Sequence, residues 1–157
     1  MASYKNPVSV LVVVYTKNLD ILLLERADRE GFWQSVTGSC EPKEALSDTA
    51  ARELKEETGI DGFQYGLVNW KMSNEFEIFK HWRGRYAPGV THNLEHVFGL
   101  CVPELIPINI SPREHTQFGW YQIDEAIEKV FCWTNVDALK FLMKHKNIKS
   151  YNCIHIR

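Results

Sequence analysis

Apolar and mostly β-branched residues fill the stretch Val8 to Tyr15, and a second apolar run, Ile21 to Leu24, follows the turn-like Lys17-Asn18-Leu19-Asp20. Together they predict a hairpin buried on both faces. Beyond it stand Arg26 and Arg29 with Asp28 between them, and Gly31 to Gly38 reads as a short strand leading to Pro42 at the entrance of a helix. From Ala45 to Thr58 the residues Leu46, Ala50 and Leu54 recur every fourth position, which gives a helix one apolar stripe, and Gly59 supplies its C-terminal stop. Three more strands are expected over Phe63 to Trp70, Asn74 to Lys80 and His92 to Val102, two of them forming a long hairpin. Thr116 to Gln122 reads as a strand. Asp124 is placed to cap a short helix reaching Val130, and Asn135 to His145 as a last helix with Val136, Leu139, Phe141 and Leu142 on its apolar side. Strands, helix, strands, helices in that order favour an α+β chain, an α/β/α sandwich with a mixed β-sheet between helices, over a βαβ array.

Size and charge narrow the picture. A chain of 157 residues fits one domain spanning 1–157, large enough to bury roughly 70% of the surface its unfolded form exposes. The formal net charge of −2 provides no broad basic field, so no nucleic-acid partner is expected and any anionic ligand has to be held locally. Cys40, Cys101, Cys132 and Cys153 form no CxxC pair, which argues against a zinc site or a disulfide scaffold and for reduced thiols in a cytoplasmic protein. The N-terminal apolar run lacks the basic flank and cleavage site of a signal peptide and is too short to span a bilayer, so no membrane association is expected.

The chemistry concentrates in Gly38 to Ile60, where Glu44, Asp48, Glu53, Glu56 and Glu57 crowd together. Glu53, Glu56 and Glu57 fall at i, i+3 and i+4 of the helix, where like charges repel by a few tenths of about 1 kcal/mol per pair, and a divalent cation is the obvious compensation. The stretch fits a glycine, five residues, a glutamate, seven residues, then Arg-Glu-aliphatic-x-Glu-Glu-x-Gly-aliphatic at Gly38, Glu44, Arg52, Glu53, Leu54, Glu56, Glu57, Gly59 and Ile60. That is the Nudix box, and the chain resembles the Nudix hydrolase family. The resemblance implies the family's fold and metal-dependent hydrolysis of a nucleoside-diphosphate-like linkage, for which oxygen ligands on Mg²⁺, with Mn²⁺ as a substitute, are suited. It further implies Glu53, Glu56, Glu57 and the Gly38 carbonyl as metal ligands, Arg52 orienting a box glutamate, and Glu44 holding the loop. For the general base, which differs among family members, Glu114 in Ser111-Pro112-Arg113-Glu114-His115-Thr116 is the first choice, also as a metal ligand, and Glu95 the second.

A narrower resemblance lies outside the box. PVSVLVVVYT, FWQSVTGS, EFEIFKHWRGRYAPGVTHNLEH and the Trp-Thr-Asn at Trp133 to Asn135 are similar to the bacterial branch of the family that converts dihydroneopterin triphosphate to the monophosphate and pyrophosphate in folate synthesis. For such a triphosphate, His81, Arg83 and Arg85, with Arg26 and Arg29, offer cations. Trp33, Gln34, Phe76, Tyr86 and Asn135 offer aromatic faces and amide groups for a flat pterin, with Glu95 nearby. Each has a plainer alternative: Trp33 and Phe76 as strand core, His81 as part of a solvated loop, Cys40 as an idle thiol. Two other functions compete, a housecleaning pyrophosphatase for deoxynucleoside or oxidised nucleoside triphosphates and a non-catalytic ligand sensor. A monomer or a homodimer is compatible with the sequence.

Overall fold

The structure, a computed structural model, describes residues 3–145, so the tail carrying Cys153 lies outside the described residues. Seven strands form one sheet: β1 (Val8–Thr16), β2 (Asp20–Arg26), β3 (Trp33–Gln34), β4 (Val36–Ser39), β5 (Val68–Glu77), β6 (His92–Val102) and β7 (His115–Gln122). Four α-helices accompany them: α1 (Leu46–Thr58), α2 (Gly62–Tyr65), α3 (Ile123–Lys129) and α4 (Trp133–His145). The two first strands meet as a hairpin only near its turn, at Tyr15↔Ile21, and then fork. β1 runs parallel to β6 over its whole length and takes β4 on its other edge, while β2 pairs with β3 and β7. Gly31 to Gly38 is accordingly two strands instead of one, because its first half bonds to β2 and its second to β1. Asn135 clamps the break at Ser35, accepting its N–H (2.9 Å) and donating to its hydroxyl (3.1 Å).

Alternation along β1 divides the core in two. Val10, Val12 and Val14 face α1 through Ala50 and Leu54, while Leu11, Val13 and Tyr15 face α3 and α4 through Ala126, Ala138 and Leu139. These buried faces make the α+β sandwich expected from the pattern. Among the described residues no helix is long and apolar enough to cross a membrane.

Three local expectations are corrected. Phe63 begins no strand: the Asp61 side chain accepts the Phe63 N–H at 3.0 Å and nucleates the single turn α2, so that Phe63 itself is exposed. β5 is continuous where two segments were expected, absorbing Lys71 at φ 59° in a bulge between Asn69 and Met72, and it stops at Glu77 before a 3₁₀ turn over Lys80–Arg85. Asp124 sits inside the first turn of α3, where it complements the helix dipole; the capping position belongs to Gln122, whose side chain makes no cap.

One glycine of the core carries a clear prediction. A Cβ on Gly99 of β6 would lie 2.2 Å from the Trp70 ring, which is buried and flanked by Tyr15 and Phe141 with no room to retreat. Gly99→Ala is therefore expected to lower unfolding free energy by about 1–3 kcal/mol, visible as a drop in the denaturant midpoint. Specific activity per folded molecule should stay the same, since the ring packs away from the site described next.

Candidate active site

The loop after β4 and the helix α1 place the box residues. Glu44 accepts the Glu41 N–H (3.0 Å) and the Thr49 hydroxyl (2.8 Å), closing the loop on the helix, and receives a forked pair from Arg52 at 2.8 and 3.0 Å. That pairing holds the Glu44 carboxyl down at about 2, the Arg52 bond being the largest cause. The same guanidinium donates to Glu53 (3.1 Å), to Glu56 (3.5 Å) and to the Ser39 carbonyl (3.1 Å). Glu57 is not among its partners.

Glu53 and Glu57, one turn apart on the buried side of α1, are held against β4. Gly38 makes this possible, because a Cβ there would stand 2.0 Å from the Glu53 carboxyl carbon. Glu57 is only 3% exposed, and among the described residues its Oε1 has no hydrogen-bond partner. Burial is the main cause pushing both carboxyl groups upward, and Glu57 is raised further by the charges of Glu53 and Glu114. His115 Nε2 stands 3.9 Å from the orphan oxygen, yet burial and Arg26 pull that imidazole down to about 4, so it brings no positive charge at neutral pH. Two desolvated carboxylates, a lone oxygen and hard donor chemistry fit a divalent cation. Glu53 and Glu57 would hold it, with the Gly38 carbonyl close at hand. Among the described residues no three His, Cys, Asp or Glu side chains already converge as a cation site. Glu56 is the reason: its side chain is 53% exposed at the outer rim, tied to Arg52, and does not line the cavity.

From this carboxylate pair a cavity of about 980 Å³ extends over the opposite face of the sheet. Glu114 lines it from a tight turn in which its carbonyl accepts the Ala27 N–H at 2.8 Å, exposed and near enough to raise both Glu53 and Glu57. Arg26 and Arg85 line it as well, both anchored on Asp28 (2.8 and 3.1 Å), whose carboxyl they hold far below its usual range. Lys5 joins them, its ammonium pushed down by burial and then by Arg85 and Arg26. Gln34, Phe76, Tyr86, Glu95 and Asn135 line the remainder.

Four expected ligand-binding residues lie elsewhere. Trp33 is core, 8% exposed, edge-on to Tyr121 with the Lys129 ammonium over its ring. Arg29 is exposed over the Phe32 ring, outside the cavity. His81 stacks on Phe79 on the outer side, and Arg83 is taken up by Glu77 and the Ile78 carbonyl. The 3₁₀ turn causes this: it puts consecutive basic residues on different sides, so that only Arg85 turns inward. Asn135 lines the cavity, but one oxygen contact and one N–H are committed to Ser35.

Sequence reasoning overlooked Lys5, Asp28, Trp82, Asn93, His115 and Phe131. Trp82 packs edge-on against Phe131 and under the Arg26 guanidinium at 4.4 Å, so the arginine's plane is fixed by a ring as well as by Asp28. Asp28 between two arginines was visible as a charge pattern; the other five come together only through the fold.

The NUDIX domain profile matches residues 5–149. The chain belongs to the Nudix family. It is 43% identical over 140 residues to dihydroneopterin triphosphate diphosphatase of Escherichia coli strain K12, covering 87% of this chain and 92% of that protein. To the protein of the same name from Haemophilus influenzae it is 44% identical over 145 residues, 89% of each chain. The solved structure of the E. coli dihydroneopterin triphosphate pyrophosphohydrolase superposes with a TM-score of 0.83 at 42% identity, covering 88% of this chain and 95% of that one. Family and fold are thus those expected from the box. As Nudix hydrolases generally depend on a divalent metal and act on small phosphate compounds, the buried carboxylate pair and the basic cluster beside it are the parts of the Nudix fold to which the chemistry belongs.

Proposed function

We propose that this Nudix hydrolase releases pyrophosphate from dihydroneopterin triphosphate, leaving dihydroneopterin monophosphate, with Mg²⁺ as its metal. What carries the reading is the 43–44% identity to the two bacterial diphosphatases across nearly the whole length of all three chains. The cavity suits the ligand: its lining combines carboxylates and cations with Phe76, Phe131 and buried polar groups.

A divalent metal held at the carboxylate pair would supply neutralisation of phosphate charge and polarisation of the anhydride bond that water breaks. Glu53 and Glu57 would hold it, together with the Gly38 carbonyl and with Glu56 from the rim. Arg26, Arg85 and Lys5 take the phosphate oxygens, their cationic side chains gathered on one wall before the substrate arrives. Arg52 and Glu44 are positioning residues that keep Glu53 at its post. Glu114, exposed on the turn tied to Ala27 and close enough to act on Glu53 and Glu57, accepts the proton of the attacking water. Glu114→Gln is expected to lower kcat at least tenfold, toward the range of about 10²–10⁴ that a positioned base supplies, with an unchanged melting temperature. Near-normal turnover would remove Glu114 from that role and leave Glu53 as the base.

Turnover of dihydroneopterin triphosphate is to be measured beside a panel of nucleoside triphosphates, including oxidised ones, with Mg²⁺. A higher kcat/KM for any nucleotide overturns the substrate assignment and favours the housecleaning enzyme. Absence of pyrophosphate release from every compound that binds would make the protein a sensor.

A further inference from the structure

Ser9, Asn93 and Glu95 continue the face of β1 and β6 that carries Leu11 and Val97, the face turned away from α1. They line the floor of the cavity, where Ser9 pairs with Ser39 of β4 on one side and with Glu95 of β6 on the other, so that Glu95 lies two strands across the sheet from the strand that carries Gly38. This floor is buried and its hydrogen-bonding groups are underused. Glu95 is 4% exposed and Asn93 is 2% exposed. Asn93 Nδ2 donates to Ser9 Oγ at 2.7 Å, but among the described residues Asn93 Oδ1 has no partner, and neither does Glu95 Oε1. Burial lifts the Glu95 carboxyl to about 7, with a bond from Thr134 as the only relief. The cross-strand neighbour Asn74 has a buried amide nitrogen that also lacks a partner, but it does not line the cavity and does not bond to Glu95. An uncompensated buried acceptor costs about 1–3 kcal/mol, more if charged. Two of them, in side chains two residues apart on one strand that both line a ligand cavity, call for a ligand that brings two N–H donors on one edge.

A 2-amino-4-oxopyrimidine ring has such an edge: the exocyclic amino group and the adjacent ring N–H lie side by side and in plane. A carboxylate accepts both at once, as it does from a guanidinium. The aromatic side chains of Phe76 and Phe131, both lining the cavity, give the flat ring system an apolar wall.

We propose that Glu95, assisted by Asn93 Oδ1, is the specificity-determining residue that accepts the amino and ring N–H donors of a 2-amino-4-oxopyrimidine ligand at the floor of the cavity. Glu95 is then no general base, since it faces the heterocycle and not the phosphates. The proposal deepens the substrate reading above and rests on it for the choice of pterin over guanine, both of which present this edge.

The test uses the full chain and phosphate-free ligands. Neopterin binding, followed by its fluorescence, is compared with binding of its 2-oxo analogue, which has lost the amino group. Wild-type protein is expected to favour neopterin by about 10- to 100-fold, and Glu95→Gln to abolish most of that preference while its melting curve stays cooperative. Equal binding of the two ligands by the wild-type protein, or no binding of neopterin, overturns the proposal without any variant. So does a Glu95→Gln protein that keeps the wild-type preference. If the enzyme proves to prefer GTP to dihydroneopterin triphosphate, the substrate reading fails and the same edge is tested with GTP against inosine triphosphate. A GTP preference lost in Glu95→Gln then supports the role of Glu95, and equal turnover of the two overturns it.

Discussion

Glu57→Gln is expected to lower turnover by about 10²- to 10³-fold, the scale set by removing one fixed electrostatic contact at a reacting phosphate or carbonyl, and at the same time to make the metal-free protein more stable. The two effects have one cause. Glu57 is buried beside Glu53, its Oε1 is unpartnered, and the positive charge of Arg52 is spent on Glu44, Glu53 and Glu56. Without a cation the folded chain has to keep two carboxylates desolvated next to each other. An amide of the same shape relieves that repulsion and loses the metal. The measurement is a pair of melting curves for each protein, in chelator and in excess Mg²⁺. Wild type should gain in melting temperature with Mg²⁺, because a ligand that binds only the native state stabilises it in proportion to the logarithm of its concentration over Kd. Glu57→Gln should start higher and gain little. A variant that loses activity but still responds fully to Mg²⁺ would move the metal off Glu57.

The sequence made the reaction legible and much of the wall opposite to it obscure, for a physical reason. The resemblance to the Nudix box singled out Gly38, Glu44, Arg52, Glu53 and Glu57, and because they sit on one helix and its loop the short chain distance between them is enough to bring them together. Even so, helix geometry alone did not show that Glu56 would turn to the rim. The β-strands of the core were readable because burial on both faces leaves continuous apolar runs, as in Val8–Thr16 and in the second half of His92–Val102, from Val97 on. Their partners were not. The fork of β1 and β2 decides that Lys5, Asp28, Asn93 and His115, separated by up to the length of most of the chain, share one cavity with Glu53, and no local pattern carries that information. Short irregular turns misled most: a 3₁₀ turn rotates its residues by about 120° each, enough to send His81 and Arg83 outward and Arg85 inward.

Gly38→Ala, a change of one methyl group that leaves every acidic side chain in place chemically, is expected to lower turnover by about 10²-fold or more, the cost of misplacing a catalytic group by roughly 1 Å. The added Cβ would lie 2.0 Å from Glu53 Cδ and 2.1 Å from Oε2, the oxygen that Arg52 holds at 3.1 Å. Gly38 is not among the residues with positive φ, so the backbone accepts alanine and the conflict is with the carboxyl alone. That carboxyl ends a flexible side chain and can swing aside, whereas the Trp70 ring over Gly99 cannot. Stability should therefore change by only about 0.5 kcal/mol, in contrast to Gly99→Ala, while activity shows the opposite ranking of the two variants. A double-mutant cycle identifies the route. If Gly38 acts by making room for Glu53, then in a Glu53→Gln background, where that group is already disabled, adding Gly38→Ala should cost little more, because two changes to one interaction are not additive. Fully additive losses would mean that the glycine serves the site in some other way, its carbonyl as a metal ligand being the first to test, by comparing the Mg²⁺-induced rise in melting temperature between Gly38→Ala and wild type.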